Sequence, residues 1–281
     1  MQNRKNRLLL EIIHSTLDGY MQDFILVMTI AIVAAIASPV GGLIAIWHKP
    51  TTFFMSLALG FASGVLLATA SFEMLPQAQE LSSLPVTVMG FAVGFILVYA
   101  FDLLVHRGKL AGQESEQYLK VRQFYRRHHI KQGKVTVLAG GTSVEELIEG
   151  ISIGVGTAIK PGLGLLIGLA IVVDNLSEGL SVGELIRAEQ ESQKHSYRQR
   201  ILSWTSLIGG ALLISSLLGW YFLRGLPSSI LGFLIAVAGG GLFYLTITKL
   251  VPAAEERHYQ QSSAVAMAVG FLFIFTLANF F

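Results

Sequence analysis

Residues 141–156 read GTSVEELIEGISIGVG, and residues 171–186 read IVVDNLSEGLSVGELI. Both stretches are apolar and glycine-rich enough to be helices in lipid. Together they nevertheless hold Glu145, Glu146, Glu149, Asp174 and Glu178, with Asn175 beside them. An ionised carboxylate at the centre of a bilayer costs about 2.5–3.5 kcal/mol even on the lenient insertion scale. Five in one bundle require cations, protons or a water-filled cavity, so a functional site is the default reading of these two segments.

Helical geometry sharpens that reading. Residues at i and i+4 share a helix face, and i+1 sits about 100° round. Glu145 therefore points with Glu149, and Asp174 with Glu178, while Glu146 and Asn175 flank the pairs. Two such faces turned together form a cage of carboxylate oxygen suited to one or two divalent cations. The segments also repeat at an offset of 29: Leu147/Leu176, Glu149/Glu178, Gly150/Gly179, Ser152/Ser181 and Gly154/Gly183 coincide. Successive spans run in opposite directions, so the repeat implies a two-fold axis in the membrane plane, where transporters commonly hold substrate.

Outward from these segments the chain is apolar throughout. Of its 281 residues 53% are hydrophobic and only 14% charged, against about a quarter charged in a soluble domain; the mean hydropathy is +0.61. The sequence has no cysteine, which excludes disulfides, thiolate metal sites and cysteine nucleophiles. Eight stretches reach the roughly 20 residues that a spanning helix needs: 22–47, 53–76, 85–105, 135–158, 163–186, 201–223, 228–250 and 263–281. The expected fold is an all-α polytopic bundle of eight transmembrane helices with inverted-repeat character, spans four and five at its centre. Pro50, Pro76, Pro85, Pro161, Pro227 and Pro252 fall at or between span ends, where a missing N–H does least harm. Pro39 lies inside the first span, where a kink is expected.

Basic residues set the expected orientation. Fifteen of the twenty Lys and Arg follow spans one, three, five and seven, when Lys134, Arg200 and Lys249 are counted at span ends. The positive-inside rule then puts both termini outside and the 106–134 loop in the cytoplasm. The expected organisation is an extracytoplasmic segment 1–20 and a transmembrane domain 21–281. The 106–134 loop reads as a solvated, lipid-anchoring segment; His106, His128 and His129 within it offer only weak ligand spacing. Nothing in it calls for nucleic acid. Trp47, Trp204 and Trp220 fall near span ends, as an aromatic belt expects, and Lys249 is expected to snorkel rather than to pair with a carboxylate.

The paired motifs resemble those of the ZIP (Zrt-, Irt-like protein) family of divalent metal transporters. EELIEG (145–150) and DNLSEG (174–179) match the HNxPEG-like motifs of that family's fourth and fifth helices, with the same spacing. GFASGVLLATASFEMLPQA resembles its second helix, GFAVGFILVYAFDLLVH its third and GGLFYLTITKLVPAAEE its seventh, so the likeness covers nearly all of the chain after residue 20. It implies eight spans, both termini outside, a long cytoplasmic loop between spans three and four, and import of metal. It also implies one metal held by Glu145, Glu149, Asp174 and Glu178, and a second by Glu146, Glu149, Asn175 and Glu178, with Glu149 and Glu178 bridging. Glu145 and Asp174 stand where the family usually has His, Glu146 where Asn is usual, and Ile148 and Ser177 where it has Pro. No carboxylate in span six completes the second site.

That donor set is harder than imidazole. All-oxygen sites favour Mn²⁺, Mg²⁺ or Ca²⁺, imidazole favours Zn²⁺ and Fe²⁺, and carboxylate also binds zinc. The expected cargo is a divalent ion (zinc, iron or manganese, the last two at least as much as zinc), moved into the cytoplasm across the plasma (cell inner) membrane by a multi-pass protein that is not an enzyme. Crowded like charges make uptake pH-sensitive. The expected partners are divalent cations and the lipid bilayer, with room for a homodimer. Two other readings stand beside this one: a transport-inactive relative that binds or senses metal, and an intramembrane lipid-phosphate phosphatase. The second lacks an Arg beside the carboxylates to hold phosphate. Glu73, the pair Asp102 and His106, and the trio Glu255, Glu256 and His258 are lesser candidates for an entrance or an exit.

Overall fold

The computed structural model describes residues 2–48, 50–105, 133–190, 197–255 and 259–280, with side chains over 21–48, 50–104, 145–187, 197–255 and 259–280. Among the described residues there is no strand, and eight long helices follow one another. They are α1 (Gln2–Trp47), α2 (Thr52–Leu81), α3 (Leu84–Val105), α4 (Gly133–Ile159), α5 (Pro161–Gln190), α6 (Tyr197–Leu223), α7 (Ser228–Glu255) and α8 (Gln260–Ala278). Seven are long and apolar enough to cross a bilayer. The exception is α4, in which every run of 18 residues contains Glu145, Glu146 and Glu149. The protein is therefore an all-α polytopic membrane bundle. The histidines of the 106–132 loop, with Glu256 and His258, lie outside the described residues.

Helix ends follow the local chemistry. Thr51 caps α2, its side chain accepting from the Phe54 N–H at 3.2 Å, which satisfies one of the orphan donors at a helix start. Pro161 opens α5, Pro227 caps α7 and Pro85 sits in the first turn of α3, where the lost N–H costs nothing. Pro76 and Pro252 depart from the sequence expectation, because both lie inside continuous helices rather than at span ends. A π-helical segment precedes each, Thr69–Met74 in α2 and Thr246–Leu250 in α7. There the residue before the proline bonds one position further back than in an α-helix: Leu75 N–H to the Ala70 carbonyl, Val251 N–H to the Thr246 carbonyl. The widened turn leaves room for the ring and lets the helix continue. α1 likewise runs through Pro39 and starts at Gln2, so residues 2–20 prolong the first helix.

The matched π segments belong to a larger repeat, at an offset of 176. Gly64 of α2 packs against the backbone of Met267 and Phe271 on α8, and Gly240 of α7 against that of Phe91 and Phe95 on α3. Gly94 of α3 meets the Val237 carbonyl, and Gly270 of α8 meets the Phe61 carbonyl. Each contact has its partner 176 residues away in the other half. α2 and α7 occupy antiparallel places in the succession of spans, so this is the inverted relation that the α4/α5 repeat implies. At such crossings small residues let backbones touch, which takes the place of hydrophobic burial in lipid.

The arrangement puts α4 and α5 inside. α4 packs on α5, α6 and α7, and α5 on α1, α2, α4 and α6, while α3 and α8 flank the bundle through α7 and α2. Ile153, Ile167, Ile171, Leu212, Trp220 and Ile235 form part of the packed centre. Trp220 is thus not part of an interfacial belt. It is buried, tilted against Phe24 at 5.4 Å, with the Arg224 guanidinium 4.5 Å from its ring centre. Trp47 is exposed, as a belt residue should be.

Candidate metal site

What aims the carboxylates is the glycine that follows each motif. A Cβ on Gly150 would run into Ser215 and the Leu212 carbonyl of α6, and one on Gly179 into the Ser38 carbonyl of α1. These glycines press the back of α4 onto α6 and the back of α5 onto α1. Glu149 and Glu178, one residue earlier and about 100° round, are left on the faces through which α4 and α5 contact each other. Ser215 reinforces this by donating its hydroxyl to the Glu146 carbonyl at 3.2 Å.

The side chains at that contact are deeply enclosed. Glu146 is 1% exposed, Glu149 4%, Asp174 6% and Asn175 fully buried; Glu178 is half-buried. Glu149 lies within hydrogen-bonding reach of Asp174, and Glu146 of Glu178. Carboxyl groups gathered this closely, away from water, need cations or protons between them. Asn175 is oriented by α1: its Nδ2 donates to the Ala34 carbonyl at 3.3 Å, which leaves Oδ1 to face elsewhere. Glu146 Oε2, Glu149 Oε2 and Asn175 Oδ1 are buried and accept no hydrogen bond. Buried polar atoms are seldom left without partners, and three acceptors without donors fit the oxygen shell of a cation. The side chains share the contact without closing into a cage, since among the described residues no three His, Asp or Glu converge at ligating distance.

Glu145 behaves differently from the other five. Its Oε1 forms an ion pair with the Lys249 ammonium, reaching across from the π-helical segment of α7. Lys249 therefore does not snorkel to the head groups as expected. It turns inward to the site, and it leaves the tally of basic residues at the cytoplasmic span ends. In the sequence Lys249 stands three residues before Pro252 as Glu73 stands three before Pro76, a spacing that marks the repeat but not the pairing. Asp102 is also committed: it is buried and accepts from the Tyr244 hydroxyl at 2.8 Å, tying α3 to α7. Glu73 is half-buried in the π-helical segment of α2.

Eight helices around enclosed carboxylates at an inverted-repeat contact suit a membrane carrier for cations. Residues 110–278, well over half of the chain, match the family described as ZIP zinc transporter. The chain belongs to that family and is a multi-pass divalent-metal transporter. Among its relatives, the zinc transporter ZupT of Chlorobium phaeovibrioides is 27% identical over 92% of this chain and all of its own length. That of Streptococcus mutans is 25% identical over 79% of this chain and 85% of its own. That of Salmonella heidelberg is 27% identical over 82% and 86%.

Proposed function

We propose that this protein imports divalent cations into the cytoplasm, and that the ion passes through the contact between α4 and α5 on Glu145, Glu146, Glu149, Asp174, Asn175 and Glu178. The observation that carries this reading is that three of the four buried side-chain oxygens without a hydrogen-bond partner among the described residues, Glu146 Oε2, Glu149 Oε2 and Asn175 Oδ1, lie on α4 and α5, the fourth being Ser38 Oγ. A polar network built only for structure would have satisfied them. Zinc is the cargo named for the relatives, and carboxylate accepts it. The all-oxygen donor set keeps manganese and iron within range. The family likeness supports inward transport, and the bias of Lys and Arg supports placing the 106–134 loop in the cytoplasm and the protein in the plasma membrane.

Ion movement requires each site to bind well enough to fill and weakly enough to empty. Glu149 and Glu178, shared between the two ligand sets, hand the ion from one set to the other. The decisive experiment is uptake of Zn²⁺, Mn²⁺ and Fe²⁺ into proteoliposomes by the wild type, Glu149→Ala and Glu178→Ala. The expected result is metal-dependent uptake that either change abolishes. Binding without uptake in the wild type would move the protein to a metal-sensing role. Uptake that survives both changes would take the pathway away from α4 and α5.

A further inference from the structure

Lys249 is the one feature of the site that the ligand sets do not explain. The residue belongs to the π-helical segment Thr246–Leu250, and π turns in α-helices gather at functional positions. Its equivalent in the other half of the repeat, Glu73, occupies the π-helical segment of α2 but carries the opposite charge. The two halves therefore share backbone and differ in sign, and only the α7 copy delivers a cation to the carboxylates. Glu145 is 9% exposed, against 1% for Glu146 and 4% for Glu149, and the side chain of Lys249 is 33% exposed. The ion pair, like half-buried Glu178, is thus more accessible than the partnerless oxygens.

Resting on the α4–α5 reading above, we propose that Lys249 is a tethered competitor of the transported ion. Its ammonium holds Glu145 when metal is absent, and by resisting metal at that end of the site it sets how loosely the cargo is bound. Glu145 is the more accessible member of the Glu145/Glu149 face, and its Oε1 is engaged by Lys249. An arriving divalent cation either displaces the ammonium or approaches Oε2 beside it. In both cases two cations lie close together in a medium of low dielectric and repel. A carrier gains from this, because an ion bound too tightly does not leave.

The test is metal binding by the full-length protein in detergent, with Zn²⁺ and Mn²⁺ as probes, on wild type, Lys249→Met, Lys249→Arg, Glu145→Gln and the Glu145→Gln/Lys249→Met double variant. Lys249→Met is expected to tighten Kd by about tenfold, within the 5- to 150-fold span of ordinary ligand coupling. In proteoliposomes the same variant should lower KM and lower maximal uptake together. Lys249→Arg, which keeps the charge, should restore most of the wild-type Kd, and the gain from Lys249→Met should shrink when Glu145→Gln is already present. If Lys249→Met does not assemble, Lys249→Gln carries the same expectation. An unchanged or weaker Kd in the neutral variants, with the wild type binding normally, overturns the competitor role alone. Failure of wild type and variants alike to bind either metal overturns the site reading beneath it as well.

Discussion

Asn175 donates its Nδ2 to the Ala34 carbonyl of α1 at 3.3 Å, while its Oδ1 is buried and accepts no hydrogen bond. The amide is one of the few side chains able to do both things, with donors on one side and an acceptor on the other. Its orientation is set by the backbone of a neighbouring helix. Asn175→Ala should accordingly weaken Zn²⁺ binding by at least about tenfold, the lower end of what losing a ligand-orienting group costs. Asn175→Asp keeps an oxygen in place and should retain binding. Equal affinity in the wild type and the alanine variant, measured by titration calorimetry, would place Oδ1 outside the ion's shell.

The glycine behind each motif should matter for stability before it matters for metal. Gly179→Leu forces a side chain into the Ser38 carbonyl, and overpacking of this kind costs about 1–3 kcal/mol, occasionally more. The melting temperature in detergent should fall clearly. Gly210 has nothing within 4 Å of an added Cβ, so Gly210→Leu should melt close to wild type. Similar melting of the two variants would remove the close α1–α5 approach as the element that aims Glu178.

Tyr244 and Asp102 offer a third measurement. Tyr244→Phe removes one donor from a buried carboxyl group, and the net loss of a hydrogen bond costs about 0.5–1.5 kcal/mol. Thermal stability should drop while Zn²⁺ affinity holds, because Asp102 is not among the proposed ligands. A fall in affinity without a fall in stability would instead move Asp102 into the ion's path.

Proton competition gives the fourth. Carboxylate ligands bind metal in their deprotonated form, so metal binding releases protons and acid opposes it. Uptake should decline from neutral to acid pH, and adding Zn²⁺ to weakly buffered protein should acidify the solution. A flat uptake rate across that range would remove the carboxylates from the rate-setting step.

The amino-acid sequence by itself determined the class of protein. Its apolar runs and the length a bilayer demands specify an all-α membrane bundle, and five carboxylates with no soluble explanation are what point to α4 and α5 for the proposed cation site. The 29-residue repeat already implied the inverted symmetry. These are local properties: hydropathy and helical periodicity are read from neighbours in the chain.

Only the tertiary structure decided which groups meet. That Lys249 turns to Glu145, 104 residues away, that Ala34 fixes Asn175 and that Tyr244 holds Asp102 are contacts between distant segments, and no local pattern encodes them. Pro76 and Pro252 show the same limit from the other side. Proline alone reads as a helix end, yet a π turn before each carries the helix onward, because packing between α2 and α8 and between α7 and α3 repeats on both sides of the two-fold axis and holds each continuous helix in place.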